Sequence, residues 1–188
     1  MIAFADAVLT TARVRLRWFT EADAPALYVL YSNPEVARYL SRPPMTDPAQ
    51  AERLLRNALD DYGTGLALPF AIERSEDGAF VGNCTLFHFH EASRRAEIGY
   101  SLARPFWGRG YMHEALGALV GYAFDVLDLN RLEADIDPRN AGSEKSLLRL
   151  GFRKEGLLRE RWIVSGEVSD TGFYGLLRSD WRRAHGDR

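Results

Sequence analysis

The sequence predicts a single α/β (α+β) domain in which a mixed, mostly antiparallel sheet of about seven strands is flanked by helices. Three observations carry that prediction. Hydrophobic spacing switches between a period of two and a helical period, in the order strand, group of helices, run of antiparallel strands, long helix, strand, short helix, closing strands. Met112, Ala115, Leu116, Leu119, Val120, Ala123, Phe124 and Leu127 form an i, i+3, i+4 stripe that only a helix with one buried face explains. In Arg131 to Asp137, Leu132, Ala134 and Ile136 share one face, the mark of a half-buried strand. No repeat, low-complexity segment or interdomain linker interrupts the pattern. The domain is therefore read as residues 1–188, with a core at about 13–178 and a short tail at 179–188.

Bulk properties narrow the function. At 188 residues and 46% hydrophobic, the chain can bury a substantial core, and no apolar run is long enough to cross a membrane. A formal net charge of −2 offers no bulk attraction to nucleic acid, and Arg182, Arg183 and Arg188 in the tail are expected to be solvated. The single cysteine, Cys84, excludes an internal disulfide and a cysteine-based zinc site. The opening MIAFADAVLT lacks the charged start and long apolar stretch of a signal peptide. Together these features predict a cytoplasmic protein with neither a membrane nor a nucleic-acid partner.

Taken in order, RVRLR at Arg13 to Arg17 alternates as a strand with Val14 and Leu16 inward. Thr20 caps a helix with Asp23 in its first turn, and Asn33-Pro34 breaks it before a short helix through Val36 and Tyr39. After Pro43-Pro44, Asp47-Pro48 starts a helix that runs to Gly63. Leu68 to Glu73 and Phe80 to His88 read as a hairpin around Glu76-Asp77-Gly78, with Arg95 to Leu102 the next antiparallel strand. Beyond Arg131 to Asp137, Asp137-Pro138-Arg139-Asn140 is a turn. Ser143 to Leu150 is a short helix ended by Gly151, and strands through Trp162 and Phe173 close the chain at Leu177. Trp18, Phe19, Phe87 and Phe89 read as core or wall.

The stretch SLARPFWGRGYM joins a strand to the long helix. Gly108 and Gly110 permit positive φ and a close backbone approach; the unpaired first-turn N–H groups, the helix dipole and Arg109 suit a phosphate or pyrophosphate. The same glycines also serve a plain strand-to-helix turn, and one G-x-G does not separate the two readings. A dinucleotide site would need G-x-G-x-x-G early in a βαβ unit and an acid about twenty residues on, and neither is present.

AEIGYSL, WGRGYMHEAL and RLEADIDPRNAGSEKSLLRLGFRKEG, with the opening RLR, NPEVARYL, and the spacing of Gly156, Gly166 and Asp170, resemble the Gcn5-related N-acetyltransferases (GNAT) over nearly the whole chain. The likeness is greatest to the branch that acetylates the N-termini of ribosomal proteins. The resemblance implies a GNAT fold in which Ala96 to Leu102 splays from Arg131 to Asp137, with acetyl-CoA as cosubstrate in the gap. The pyrophosphate would sit on the N–H groups of Gly108, Arg109, Gly110, Tyr111, Met112 and His113, with Trp107 packing the loop down. The pantetheine arm would lie along Tyr100, Ser101 and Leu102, and Asn140 and Ser143 would contact the cofactor. Met112 departs from the usual Ala or Gly, and a larger side chain there would narrow the pyrophosphate approach.

Acetyl transfer needs a base for the ammonium, a donor for the oxyanion and an acid for the leaving thiolate. The resemblance implies Glu97, directly or through a water, as base and Glu160 as a second candidate. It implies a backbone N–H near Tyr100 to Leu102 at the oxyanion, and Ser143 as acid. Each has a plainer reading: Glu97 paired with Arg95 at the surface, and Ser143 as a helix N-cap. His88 and His90, two apart on a strand, would point the same way and line the substrate side; no third ligand accompanies them and the chemistry needs no metal. The acceptor implied is a primary amine, a protein N-terminus first, a small amine, amino acid or antibiotic second. A CoA-binding module without turnover is the alternative from another class. Glu21, Asp23, Asp60 and Asp61 are either an attraction for a basic protein or ordinary solvated helix residues. A homodimer rests on resemblance alone.

Overall fold

The alternation of RVRLR does produce a strand, Val14–Arg17, with Val14 and Leu16 fully buried. In the computed structural model, which describes residue 4 and residues 7–186, it is the second strand, β2. Leu9–Thr10 (β1) pair with it antiparallel, and two residues have no alternation to read; this accounts for a sheet of eight strands where pattern predicts about seven. The Thr20–Asp23 box caps a short 3-10 turn that leads into α1 (Ala24–Ser32), and α2 (Pro34–Ala37) follows with Asn33 as its cap. In α3 (Pro48–Thr64), Asp47 and Gln50 form a reciprocal box, and Gly65 in the left-handed region ends the helix. The remaining elements are β3 (Ala67–Arg74), β4 (Phe80–His90), β5 (Arg95–Leu102), α4 (Tyr111–Asp125), β6 (Arg131–Ile136), α5 (Ala141–Arg149), β7 (Arg153–Val164) and β8 (Glu167–Leu177).

These strands form one sheet in the order β1-β2-β3-β4-β5-β6-β8-β7, antiparallel at every junction except β5–β6. One face carries α4, whose stripe from Met112 to Phe124 packs on Leu16, Phe70, Leu86, Ile98 and Leu132. Leu127 falls beyond the helix end. The other face carries α1 and α3, through Leu27, Leu30, Leu55 and Ala58 on Ala71. Each fully buried Leu or Phe in these layers contributes about 1.5–3 kcal/mol, so the sheet is held rigid from both sides where the site is built.

The parallel pair is short. Its register runs only through Arg95↔Arg131, Ala96↔Leu132 and Glu97↔Glu133. Beyond it, β5 stays bonded to β4 as far as Leu102 and β6 to β8 as far as Ile136. The sheet thus parts between Ile98–Leu102 and Ala134–Ile136, leaving two strand edges facing a gap.

The residues from 179, read as a tail, form with Arg178 the helix α6 (Arg178–His185). Trp181 is buried against Phe124, with ring centroids 6.5 Å apart, while Arg182 and Arg183 are exposed. Arg188 and residues 1–3, 5 and 6 of the opening lie outside the described residues. No described helix is long and apolar enough to cross a membrane.

Candidate active site

The loop between β5 and α4 is fixed from both ends. Trp107 donates its indole N–H to the Leu102 carbonyl at 2.7 Å, and the Arg104 guanidinium lies 4.9 Å over its ring. Gly108 and Gly110 have φ of 74° and 81°, and a Cβ on Gly110 would meet the Arg13 guanidinium at 3.3 Å. Arg13, which no motif singles out, donates to the Arg109 carbonyl at 2.9 Å and to Glu114 at 2.6 Å, tying loop and helix to β2. The first bond within α4 runs from the Glu114 N–H to the Gly110 carbonyl, at 3.2 Å. The N–H groups of Tyr111, Met112 and His113 therefore have no helical acceptor, and with the dipole of a long helix behind them they suit an anion.

Met112 does not narrow this approach: its side chain turns into the core and is 8% exposed. Only its backbone belongs to the loop. At His113, burial, with Arg149 and His185 nearby, holds the imidazole below its ordinary pKa, so the ring is neutral at physiological pH.

The gap holds a cavity of about 370 Å3, walled by Ile98, Gly99 and Tyr100 on one strand and Asp135, Ile136 and Asp137 on the other. The segment Tyr39 to Pro44 and the β7–β8 hairpin, through Trp162 and Thr171, complete it. Into it Tyr100 and Ser143 project as a pair, their hydroxyl oxygens 2.6 Å apart. Asn140 caps α5, accepting the Ser143 N–H at 3.1 Å. The N-cap reading of Ser143 is thereby corrected: its hydroxyl is occupied by Tyr100 and not by the helix end. Burial pushes the Tyr100 phenol up to about 12, partly offset by the Ser143 bond, so it stays protonated at neutral pH.

The carboxylates implied by resemblance lie elsewhere. Glu97 is the last residue of β5 paired with β6, with its Oε1 3.0 Å from His88 Nδ1, and is not among the cavity's walls. Phe87, its partner across β4 and β5, and Gly99 do line the cavity, the Phe87 ring standing 3.1 Å from where a Cβ on Gly99 would sit. Its expected partner Arg95 instead bonds Glu133 at 2.7 Å. Glu160 sits in an irregular stretch of β7 with φ of 53°, its side chain exposed and its N–H donating to Asp170 at 2.8 Å. The structure thus brings Tyr100, Ser143 and Asn140 together at the cavity and leaves Glu97 and Glu160 outside it. His88 and His90, expected to line the substrate side, are not among the cavity's walls. A bulge breaks the alternation there, His88 turns to Glu97, and His90 Nδ1 accepts the Ser93 N–H at 3.1 Å. Among the described residues no group of three or more His, Cys, Asp or Glu is placed to hold a metal ion.

The cavity's own acids are residues that the motifs did not single out. Asp137 and Glu167 both bind Arg139, each at 2.6 Å, which spans from the β6–α5 turn to β8. Among the described residues Asp135 accepts only a shared indole N–H from Trp162, at 3.3 Å, the same group that reaches Thr171 at 3.2 Å. Alternation does carry the signal for Asp135, since it faces away from Leu132, Ala134 and Ile136. What the pattern lacks is the news that this face meets a gap.

A model of the acetyltransferase (GNAT) domain matches residues 13–153. The chain is 38% identical to the uncharacterized N-acetyltransferase p20 of Bacillus licheniformis over 173 residues, covering 92% of this chain and 97% of that one. It is 28% identical to the ribosomal protein uS5-alanine N-acetyltransferase of Escherichia coli over 181 residues, 92% of each chain. Among solved structures, spermidine N-acetyltransferase from Vibrio cholerae, in complex with CoA and spermine, superposes with a TM-score of 0.81 at 20% identity, covering 91% of this chain and 99% of that one.

Proposed function

The chain belongs to the GNAT acetyltransferase family and is an acetyl-CoA-dependent N-acetyltransferase; we propose that its acceptor is the N-terminal amine of a protein such as a ribosomal protein, modified in the cytoplasm. The observation that supports this acceptor is the 28% identity to the uS5-alanine enzyme, spread over 92% of both chains. The likeness to the spermidine enzyme, at 20% identity, is one of fold and carries no weight for the acceptor.

The residues present fit acetyl-CoA. The unpaired N–H groups from Gly108 to His113 would hold its pyrophosphate, with Arg109 adding positive charge, and a side chain at Gly110 would be strained at φ of 81° and press on the Arg13 guanidinium that ties the loop to Glu114. The open edge of β5 at Tyr100, Ser101 and Leu102 would take the pantetheine arm as an added strand, and its free N–H groups would serve the oxyanion. When bound, the thioester supplies an activated acetyl group. The Tyr100 and Ser143 hydroxyls share one hydrogen bond, and with Tyr100 as its donor the Ser143 proton would be free for a departing thiolate. Glu97 is not among the cavity's walls, so in this reading it acts at most through water.

The test is to offer acetyl-CoA and a panel of amines: peptides copying ribosomal-protein N-termini, a polyamine, free amino acids and an aminoglycoside. Acetylation of the peptides at the α-amine, located by mass spectrometry, is the expected result. Acetylation of the small amines alone overturns the proposed acceptor. Tight CoA binding with no transfer to any amine identifies a non-catalytic module.

A further inference from the structure

We propose that Asp135 is the catalytic base, binding the acceptor's ammonium in the cavity and taking its proton. This rests on the acetyltransferase reading above and adds to it a residue and a charge requirement on the acceptor.

The charges at the cavity single it out. Its walls carry three carboxylates, Asp135, Asp137 and Glu167, and one cation, Arg139. Arg139 is held by Asp137 and Glu167 together. Asp135 has no cationic partner among the described residues, only the Trp162 indole N–H. An uncompensated carboxylate in a concave, partly desolvated site attracts an ammonium more strongly than any other group there. Placement agrees. Glu97 and Glu133 are the last residues that pair the two parallel strands, so Gly99 stands across the gap from Asp135, with the Phe87 ring packed 3.1 Å from where a Cβ on it would sit.

The two faces of the sheet then divide the chemistry. Tyr100 pairs with Cys84, and Ala134 with Tyr174, all on the face covered by α4 and α5. Asp135 projects from the opposite face, as do Glu97 and Gly99. The amine is thus deprotonated on one side of the splayed pair while Tyr100 and Ser143 serve the leaving group on the other. Asp135 takes one proton from the ammonium, and the freed nitrogen pair forms the C–N bond as the carbonyl pair moves to oxygen. Collapse restores C=O and breaks C–S. The sulfur takes the Ser143 proton, which the proton leaving nitrogen replaces. Asp135 returns its proton to water, so ammonium and thioester give amide, thiol and one proton.

Other titratable groups face the cavity: Tyr39 from the segment after α2, Tyr100 from β5, Asp137 and Arg139 from the turn after β6, and Glu167 from β8. Glu97 and His88 pair with each other and are not among its walls. The experiment therefore compares Asp135→Asn, Glu97→Gln and wild type, following thiol release from acetyl-CoA with an alanine-led peptide, a polyamine and an aminoglycoside as acceptors. With Asp135→Asn, kcat/KM falls about a hundredfold near neutral pH, the loss expected of a general base. The deficit shrinks at least about tenfold between about pH 6.5 and pH 9, because an α-amine with pKa near 8 loses its proton unaided there. Glu97→Gln loses far less than Asp135→Asn, and CoA affinity and melting of Asp135→Asn are unchanged. An active Asp135→Asn, a deficit that ignores pH, or a loss carried by Glu97→Gln overturns the assignment while the acetyltransferase reading stands. A wild type that acetylates none of these amines overturns both.

Discussion

The two sides of the splayed strand pair are built on different terms. On the α4 side, the anion cradle is one continuous run of backbone, Gly108 to His113, and its chemistry comes from peptide N–H groups that a helix start leaves unpaired. On the other side, the cavity is assembled from side chains of segments far apart in the chain, among them Tyr39, Asp135, Trp162 and Thr171. The first tolerates changes of side chain, as Met112 shows by turning its bulk into the core, and fails only when the backbone is disturbed. The second tolerates no change in a few named atoms, and little else about it matters. Mutations should therefore separate cofactor affinity from turnover according to the side they touch.

The largest effect expected is at the backbone. Gly110→Pro demands φ near −65° where the native value is 81° and removes an N–H from the cradle. CoA affinity measured by calorimetry falls about a hundredfold or more; retained affinity would mean that the loop does not hold the cofactor. Next come Tyr100→Phe and Ser143→Ala, which each lower kcat by about tenfold to a hundredfold with CoA affinity little changed. Because the two hydroxyls act as one unit, the double variant is no slower than the worse single one. Additive losses would sink the pairing.

How far these two sides could be read from residues alone follows from the same contrast. The loop, the long helix and the alternating strands are contiguous, so glycine spacing and hydrophobic period reveal them. β1 escaped because two residues have no period, and α6 because a lone buried Trp181 makes no stripe. Asp135 was visible only as the polar face of a strand. Whether that face meets solvent, another layer or a gap is decided by β5 and β6 parting after Glu97 and Glu133, a long-range fact that local pattern does not contain. Asn140 and Ser143 were both seen, yet which of them caps α5 depends on a side-chain geometry that spacing leaves open.

Smaller effects sharpen the contrast. Asn140→Ala removes a cap and costs about 1 kcal/mol, lowering Tm by roughly 2–4 °C in a chain of this size; a loss of turnover with unchanged melting would instead make Asn140 part of the chemistry. Tyr100 supplies a pH signature. Its folded pKa is raised by burial to about 12, above the ordinary value of 10, so between these pH values the unfolded chain ionises and the folded one does not. Its contribution to stability is complete below about pH 10 and is lost as pH rises toward 12. Denaturation of Tyr100→Phe followed across that window should show a shallower decline than wild type, and identical slopes would contradict the burial of this hydroxyl.

The most direct measurement is calorimetric titration of wild type, Gly110→Pro and Asp135→Asn with acetyl-CoA, CoA, NADH and ATP in parallel. A site with a backbone cradle on one side and a side-chain cavity on the other predicts that wild type and Asp135→Asn bind acetyl-CoA and CoA equally, that Gly110→Pro binds them weakly, and that NADH does not bind. CoA binding that survives Gly110→Pro, or that falls as far with Asp135→Asn, would contradict the division of labour across the splayed strands.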